Sequence, residues 1–279
     1  MRELVKQYLR SDFANKKRRT IFCPGCGDGQ VLGYFIQAVD ELKKEGKIDD
    51  SKLYLLGGIG CSGWIPTYLK YNTVHTLHGR AIPVAVGIKL TNPEAEVVVF
   101  TGDGDNLSIG LNHFVQALRR NVGIKVIMLN NMLYGMTGGQ VAPTTPMNAI
   151  THTTPYGNVE RPIDACKLAV DLGAGYVARW PTILAPYAVK SIKELLTHKG
   201  FGFVEFLSQC PTYQGRYVFN VDDPANLMNY YLKITYRSNK IDDKDSRIAI
   251  GTFANFESTK PTYEELIWNT LQKTEGERK

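Results

Sequence analysis

The sequence predicts an α/β protein, a mostly parallel sheet with helices on both faces. Three observations carry this reading. Val97-Val98-Val99-Phe100 is a continuous apolar run of strand length, as expected of a parallel strand buried on both sides. A helical pattern follows, with Leu107, Leu111, Phe114 and Leu118 on one face. A second apolar run, Ile124 to Leu129, closes a strand–helix–strand unit. Both strands end in polar residues, Gly102-Asp103-Gly104-Asp105 after the first and Asn130-Asn131 after the second. Open α/β sheets bind their ligands at that edge.

Taken in order, residues 1–20 form a polar, basic arm ending in Lys16-Lys17-Arg18-Arg19. Such an arm is solvated or lies on a partner. The main domain is expected over 21–216. It opens with Cys23-Pro24-Gly25-Cys26-Gly27, a tight loop that turns two sulfurs toward one point. A redox dithiol, zinc and iron–sulfur ligation all use this spacing. A helix from Gln30 to Lys44 turns Val31, Phe35, Val39 and Leu42 inward. The short strand Leu53 to Leu56 runs into Gly57-Gly58-Ile59-Gly60-Cys61-Ser62-Gly63-Trp64. This glycine-rich loop admits close approach of a ring or cluster and carries a third sulfur. His75-Thr76-Leu77-His78-Gly79-Arg80 precedes an apolar helix that runs through Leu90. His78 is placed either to bond a phosphate oxygen or to lie at the surface.

Beyond Gln140, Pro143, Pro146 and Pro155 stand among many threonines. This is a long irregular loop of the kind that serves a site or an interface. A helix is expected over Arg161 to Leu172, with Cys166 in the core, then a strand at Tyr176 to Ala178 and a helix from Leu184 to His198. Phe203 to Leu207 is expected as the last sheet strand, ending in Ser208-Gln209-Cys210-Pro211-Thr212, where a fourth sulfur stands. Residues 217–279 are more weakly patterned and are read as a C-terminal extension for subunit contact. They hold a charged turn at Asn239 to Arg247, a hairpin strand at Asp245 to Phe253, a helix at Glu264 to Leu271 and a disordered end.

At 279 residues the chain can bury one sizeable core. No apolar run is long enough to span a bilayer, and no signal-peptide pattern opens the chain. The expected location is therefore the cytoplasm, away from membranes. A net charge of +6 is too mild to imply nucleic acid but suits an acidic protein partner. Five cysteines in such a chain argue for metal or cluster ligation over disulfides.

The chemistry at the strand ends follows from residue type. Gly102 and Gly104 let backbone approach a bulky anion, and the helix start offers free N–H groups to it. Asp103 and Asp105 would by themselves repel a phosphate. A divalent cation resolves the conflict, with hard oxygens from Asp103 and Asn131 and the rest of the shell from a diphosphate. A Gly-Asp-Gly turn alone is equally a helix cap. The asparagine at the end of the next strand is what points to the cation.

Gly102-Asp103-Gly104 followed by Asn131 resembles the diphosphate-binding motif of thiamine diphosphate enzymes. With Tyr134-Gly135-Met136-Thr137-Gly138-Gly139-Gln140, the chain is similar to the beta subunit of 2-oxoacid:ferredoxin oxidoreductases over roughly residues 23–216. The resemblance implies the thiamine diphosphate-binding fold of the diphosphate-binding type. It implies a magnesium ion on Asp103, Asn131 and the carbonyl of Leu133. Ile59, Gly60, Cys61, Ser62, His78, Gly104, Asp105, Gly135 and Met136 would line the cofactor. Cys23, Cys26, Cys61 and Cys210 would hold one [4Fe-4S] cluster, whereas Cys166 has no counterpart. Redox-silent zinc could not accept the two electrons released when a 2-oxoacid is oxidatively decarboxylated. The implied activity converts a 2-oxoacid and coenzyme A to acyl-CoA and CO2, with ferredoxin reduced. The loop at Ser208 to Thr212 is closer to the 2-oxoglutarate and broad 2-oxoacid branch than to the pyruvate branch, and Trp64 and Met136 are placed to face substrate. No glutamate for the cofactor's aminopyrimidine stands in this chain. It is expected from a separate alpha subunit, so that the cofactor lies between subunits. Two rivals share parts of the pattern. A non-oxidative thiamine diphosphate decarboxylase or synthase has no use for four sulfurs, and a zinc-stabilised α/β binding module would use Gly-Asp-Gly only as a turn. A nicotinamide-binding fold would need a G-x-G-x-x-G run that is missing here.

Overall fold

A computed structural model of the chain describes residues 2–15, 17, 19–242, 245–256 and 261–277. Helices α1 (Arg2–Tyr8) and α2 (Ser11–Ala14) precede the long α3 (Gly27–Lys44), then β1 (Leu53–Gly57) and β2 (Asn72–His75). Next come α4 (Ala81–Thr91), β3 (Glu96–Gly102), α5 (Leu111–Arg119), β4 (Ile124–Asn130), α6 (Ala165–Asp171) and β5 (Tyr176–Pro181). The chain ends with α7 (Ala185–Thr197), β6 (Gly202–Leu207), α8 (Pro224–Lys233), β7 (Thr235–Arg237), β8 (Ile248–Asn255) and α9 (Tyr263–Glu277). The eight strands form one sheet in the order β2-β1-β3-β4-β6-β5-β8-β7. All neighbours are parallel except β5 and β8.

The apolar runs are continuous because both faces of the sheet are covered. Val98 and Phe100 join one buried cluster with α3 and α7, while Val97 and Val99 join the other with α4 and α5. Phe35 of α3 meets Phe100 edge to face, centroids 5.1 Å apart. Such a pair adds about 0.5–1.5 kcal/mol beyond its area. Register then positions the site. Gly57 pairs with Phe100, Gly102 with Leu129, and Asn130 with Leu207. The loops after β1, β3, β4 and β6 therefore leave the sheet side by side. From β1 the chain steps to β2 on one side and returns to β3 on the other, which makes the β1/β3 boundary the point where strand order reverses.

Several expectations are corrected. The N-terminal arm is not wholly solvated. Leu4, Val5, Tyr8, Leu9 and Phe13 pack against the core, and Tyr8 donates to Asp40 of α3 at 2.9 Å. Lys17 and Arg19 are exposed, whereas Lys16 and Arg18 lie outside the described residues. β2 had no sequence signal because three of its four residues are exposed. β6 is not the last strand. β8 extends the same sheet by pairing antiparallel with β5 and parallel with β7, so it is not half of a hairpin. β7 and β8 are thus built into the main sheet rather than appended to it, and α9 is tied to the body through Gly123 and Leu90.

Candidate active site at the strand ends

The loops after β1, β3 and β4 enclose a cavity of about 210 Å³. Its wall includes Ile59, Gly60, Cys61, Ser62, His78, Asp103, Gly104, Asp105, Asn131, Leu133, Gly135 and Met136. Every residue expected to line the cofactor or hold the cation is therefore brought to one place. Trp64 is not in that wall. It packs edge-on to His75, with centroids 5.4 Å apart.

Asp103 follows β3 directly and is 2 % exposed. Burial pushes its carboxyl up to about 7, against hydrogen bonds from Thr144 and from the backbone N–H groups of Gly104 and Asn131. The Asn131 N–H bond places the two candidate ligands side by side. Met132, just beyond, sits at φ 60, a left-handed conformation uncommon for a non-glycine residue. Its N–H donates to Asn130 Oδ1 at 2.9 Å and its carbonyl accepts from Thr145 at 2.6 Å. This reversal turns both Asn131 and Leu133 toward the cavity.

Asp105 has a different part. Its Oδ1 accepts from the N–H groups of Ile59 (3.1 Å) and Gly79 (2.7 Å), and its Oδ2 accepts from Thr101 Oγ1 (2.7 Å). His78 Nδ1 lies 2.7 Å from the same Oδ1. The carboxylate thus ties three loops together, and any bond from His78 to a ligand must use Nε2. The loop geometry depends on small residues. A Cβ on Gly58 would fall 1.8 Å from Asp105 Oδ2, and one on Gly104 would fall 2.4 Å from the Tyr134 ring. The regular helix expected here begins as a π-turn, Asp105–Ile109, a distortion common at functional sites.

Cys61 belongs to the cavity wall and also to a group of thiols beneath it. Cys61 and Cys210 both raise the Cys26 thiol, Cys210 and Cys23 raise Cys61, and Cys23 raises Cys210, as neighbouring thiols do. Burial, then the nearby Asp28 carboxylate, pushes Cys61 up to about 12 and Cys26 higher. Backbone N–H groups already face two of these sulfurs, Asp28 N–H at Cys26 and those of Gln214 and Tyr213 at Cys210. Cys210 Sγ lies 3.7 Å from where a Cβ on Gly135 would stand. Among the described residues, no three His, Cys, Asp or Glu side chains are arranged to hold a single metal ion. Cys166 is apart and buried, its thiol facing Ala178 O and Glu205.

Asp28 went unnoticed in the sequence. It is 2 % exposed, accepts from Ser208 Oγ at 2.6 Å, lines the cavity and borders the thiols. Its place directly after the Cys-x-x-Cys-Gly loop was the available signal. Thr144, one of many threonines in the irregular loop, carries no short-range signal of its own.

A sheet whose strand ends present this acidic, amide-rich cavity at the order reversal is that of an α/β domain that binds its ligand at the strand ends. A family model, the C-terminal TPP-binding domain of thiamine pyrophosphate enzymes, matches residues 58–206. The 2-oxoglutarate synthase subunit KorB of Methanocaldococcus jannaschii is 43% identical over 277 residues, 97% of this chain and 98% of the relative. The 2-oxoacid:ferredoxin oxidoreductase beta subunit of Saccharolobus solfataricus is 44% identical over 194 residues, 69% of this chain and 62% of that one. Among solved structures, a 2-oxoglutarate:ferredoxin oxidoreductase from Magnetococcus marinus, with 2-oxoglutarate, coenzyme A and succinyl-CoA bound, superposes with a TM-score of 0.83. It is 29% identical, and the match covers 97% of this chain and 90% of that one. The chain belongs to the beta-subunit family of the 2-oxoacid:ferredoxin oxidoreductases. Among its described residues no helix is long and apolar enough to cross a membrane.

Proposed function

We propose that this subunit holds thiamine diphosphate through Mg2+ on Asp103, Asn131 and the Leu133 carbonyl, beside a [4Fe-4S] cluster on Cys23, Cys26, Cys61 and Cys210. The enzyme it serves oxidatively decarboxylates a 2-oxoacid, 2-oxoglutarate first, with coenzyme A as acyl acceptor and ferredoxin as electron acceptor. The observation that carries this is Cys61, which is shared between the cavity wall and the thiol group. One loop then touches both centres, as short-range electron transfer requires. When bound, thiamine diphosphate supplies the nucleophilic carbon for decarboxylation.

The residues fit these groups. Asp103, an asparagine and a backbone carbonyl are hard oxygen donors suited to Mg2+. Four thiolates can ligate a [4Fe-4S] cluster, and a redox-silent zinc ion in their place could not take up the electrons that the oxidation releases. N–H groups already directed at Cys26 and Cys210 are the hydrogen bonds that stabilise cluster sulfurs.

A separate alpha subunit completes the site. The cavity, about 210 Å³, is smaller than the roughly 300 Å³ lower range of small-molecule pockets, so this chain encloses only part of the cofactor. Ile59 (40%), Leu77 (77%), Ile109 (49%) and Met136 (45%) remain exposed on and beside the cavity-lining loops. An apolar margin of this kind suits a subunit interface. The partner supplies the glutamate for the aminopyrimidine and, since Met136, the substrate-facing candidate in the cavity wall, carries no charge, the cation for a dicarboxylic substrate.

Iron, magnesium and thiamine quantification on anaerobically purified assembled enzyme tests this reading. It is coupled to electron paramagnetic resonance after reduction. Four irons and one thiamine diphosphate per beta chain are expected. Zinc without iron, or thiamine without either, would overturn it. Relative kcat/KM for 2-oxoglutarate, pyruvate and branched 2-oxoacids tests the substrate order.

A further inference from the structure

The two arms of the proposed cation site, Asp103 after β3 and the Asn131–Leu133 turn after β4, are linked through two side chains, Asn130 and Thr144. Asn130, the last residue of β4, is 5 % exposed. Its Oδ1 accepts from Met132 N–H at 2.9 Å and so holds the left-handed turn that presents Asn131 and Leu133. The same Oδ1 lies 3.0 Å from Thr144 Oγ1, which lies 2.5 Å from Asp103 Oδ2. The one hydroxyl proton is shared between both acceptors, with the closer contact to the carboxylate. Asn130 cannot flip its amide, because Nδ2 donates to Glu205 Oε1 at 2.7 Å. Glu205 is in turn held by Arg179 Nε at 2.7 Å, and Arg179 also pairs with Asp164 and donates to Ala249 O. Asn130, Thr144, Glu205 and Arg179 are each no more than 6 % exposed. These four residues also line one wall of a cavity of about 670 Å³ behind the proposed cation site.

We propose that Asn130, Thr144 and Glu205 are positioning residues that set the angle between the two halves of the cation shell. The proposal rests on Asp103 and Asn131 being the cation's ligands. Mg2+ demands near-ideal octahedral geometry, whereas Ca2+ tolerates a loose one. A brace of this kind therefore contributes selectivity as well as affinity. Partners behind metal ligands are worth roughly 10–100-fold in affinity.

The test uses the assembled enzyme stripped of metal and thiamine diphosphate. Mn2+ uptake is read by electron paramagnetic resonance with and without thiamine diphosphate, and Mg2+ and Ca2+ are read by competition. Thr144→Val is isosteric, removes the shared proton and leaves packing intact. It is expected to weaken Mn2+ and Mg2+ by about 10–100-fold and Ca2+ by less. The metal-free unfolding midpoint should fall by no more than the loss of one buried hydrogen bond allows, and the Mg2+ against Ca2+ split reads the brace apart from that loss. Thr144→Ser should restore wild-type affinity, because it returns the hydroxyl without the methyl group. Wild-type affinity in Thr144→Val, equal losses for Mg2+ and Ca2+, or a serine variant no better than valine would each overturn the brace. Failure of the cation assignment reads differently, as an absence of thiamine-dependent Mn2+ uptake in the wild type itself, and takes the brace with it.

Discussion

Gly58 and Gly33 show how differently one residue type can act. A methyl group on Gly58 meets the Asp105 carboxylate, which holds the loops after β1 and β3 together. Gly58→Ala should therefore weaken thiamine diphosphate binding by at least about tenfold, the equivalent of one unmade buried hydrogen bond, as read by cofactor titration. Gly33 sits within α3 with nothing within 4 Å of a built Cβ. Gly33→Ala should stabilise the fold by about 0.5–1 kcal/mol in denaturant unfolding. His198 governs a pH response. Burial, then the Lys125 ammonium, holds its imidazole down to about 4, against about 6.5 in an unfolded chain. Between these values the unfolded state binds a proton that the folded state refuses, so stability falls as pH drops from 6.5 to 4. Allowing for screening at this partly exposed group, the loss is about 1–2 kcal/mol. His198→Gln should flatten that part of the melting-temperature profile. At this scale the candidate ligands were legible because Gly-Asp-Gly and the cysteine loops are local patterns. Thr144 and Asp28 were not, since each works through a partner distant in sequence, Asp103 and Ser208.

Among the elements, the strands and helices of the main domain followed from apolar periodicity, whereas the C-terminal ones did not. β8 is only half apolar on its outer part, and its place depends on an antiparallel pairing with β5 that no short-range signal encodes. α9 was expected to serve a neighbouring subunit. Its Glu264, 3 % exposed, accepts from Gly123 N–H at 3.0 Å, and Trp268 Nε1 donates to Leu90 O at 2.9 Å. Glu264→Ala should thus cost the isolated chain about 1–3 kcal/mol by orphaning a buried N–H, as read by chemical unfolding. Leu271, 51 % exposed, should cost less than about 0.5 kcal/mol there when changed to alanine. Any effect of Leu271→Ala on assembly would appear only in sedimentation of the complex.

For the whole molecule, the cavity is a partial one. The isolated chain should bind thiamine diphosphate weakly and turn over no 2-oxoacid, and adding the alpha subunit should restore both. Robust decarboxylation by the lone chain would contradict an interface site. The net charge of +6 predicts that reduction of an acidic ferredoxin slows several-fold as salt is raised, through lost steering. Reduction of a small dye by the same enzyme should change little. Stopped-flow rates at two ionic strengths distinguish these outcomes.

The sequence by itself determined the parallel α/β class, the ligand types at the strand ends and the four thiols. Strand burial, glycine tolerance and metal chemistry are written in residue type and short spacing. Only the tertiary structure decided that strand register aligns those ends into one cavity, that Cys61 stands in the cavity wall as well as near other thiols and that Asp105 ties loops together. It also showed Trp64 standing outside the cavity wall. Those outcomes depend on pairings across the sheet, where residues far apart in the chain meet and compete for the same hydrogen bonds.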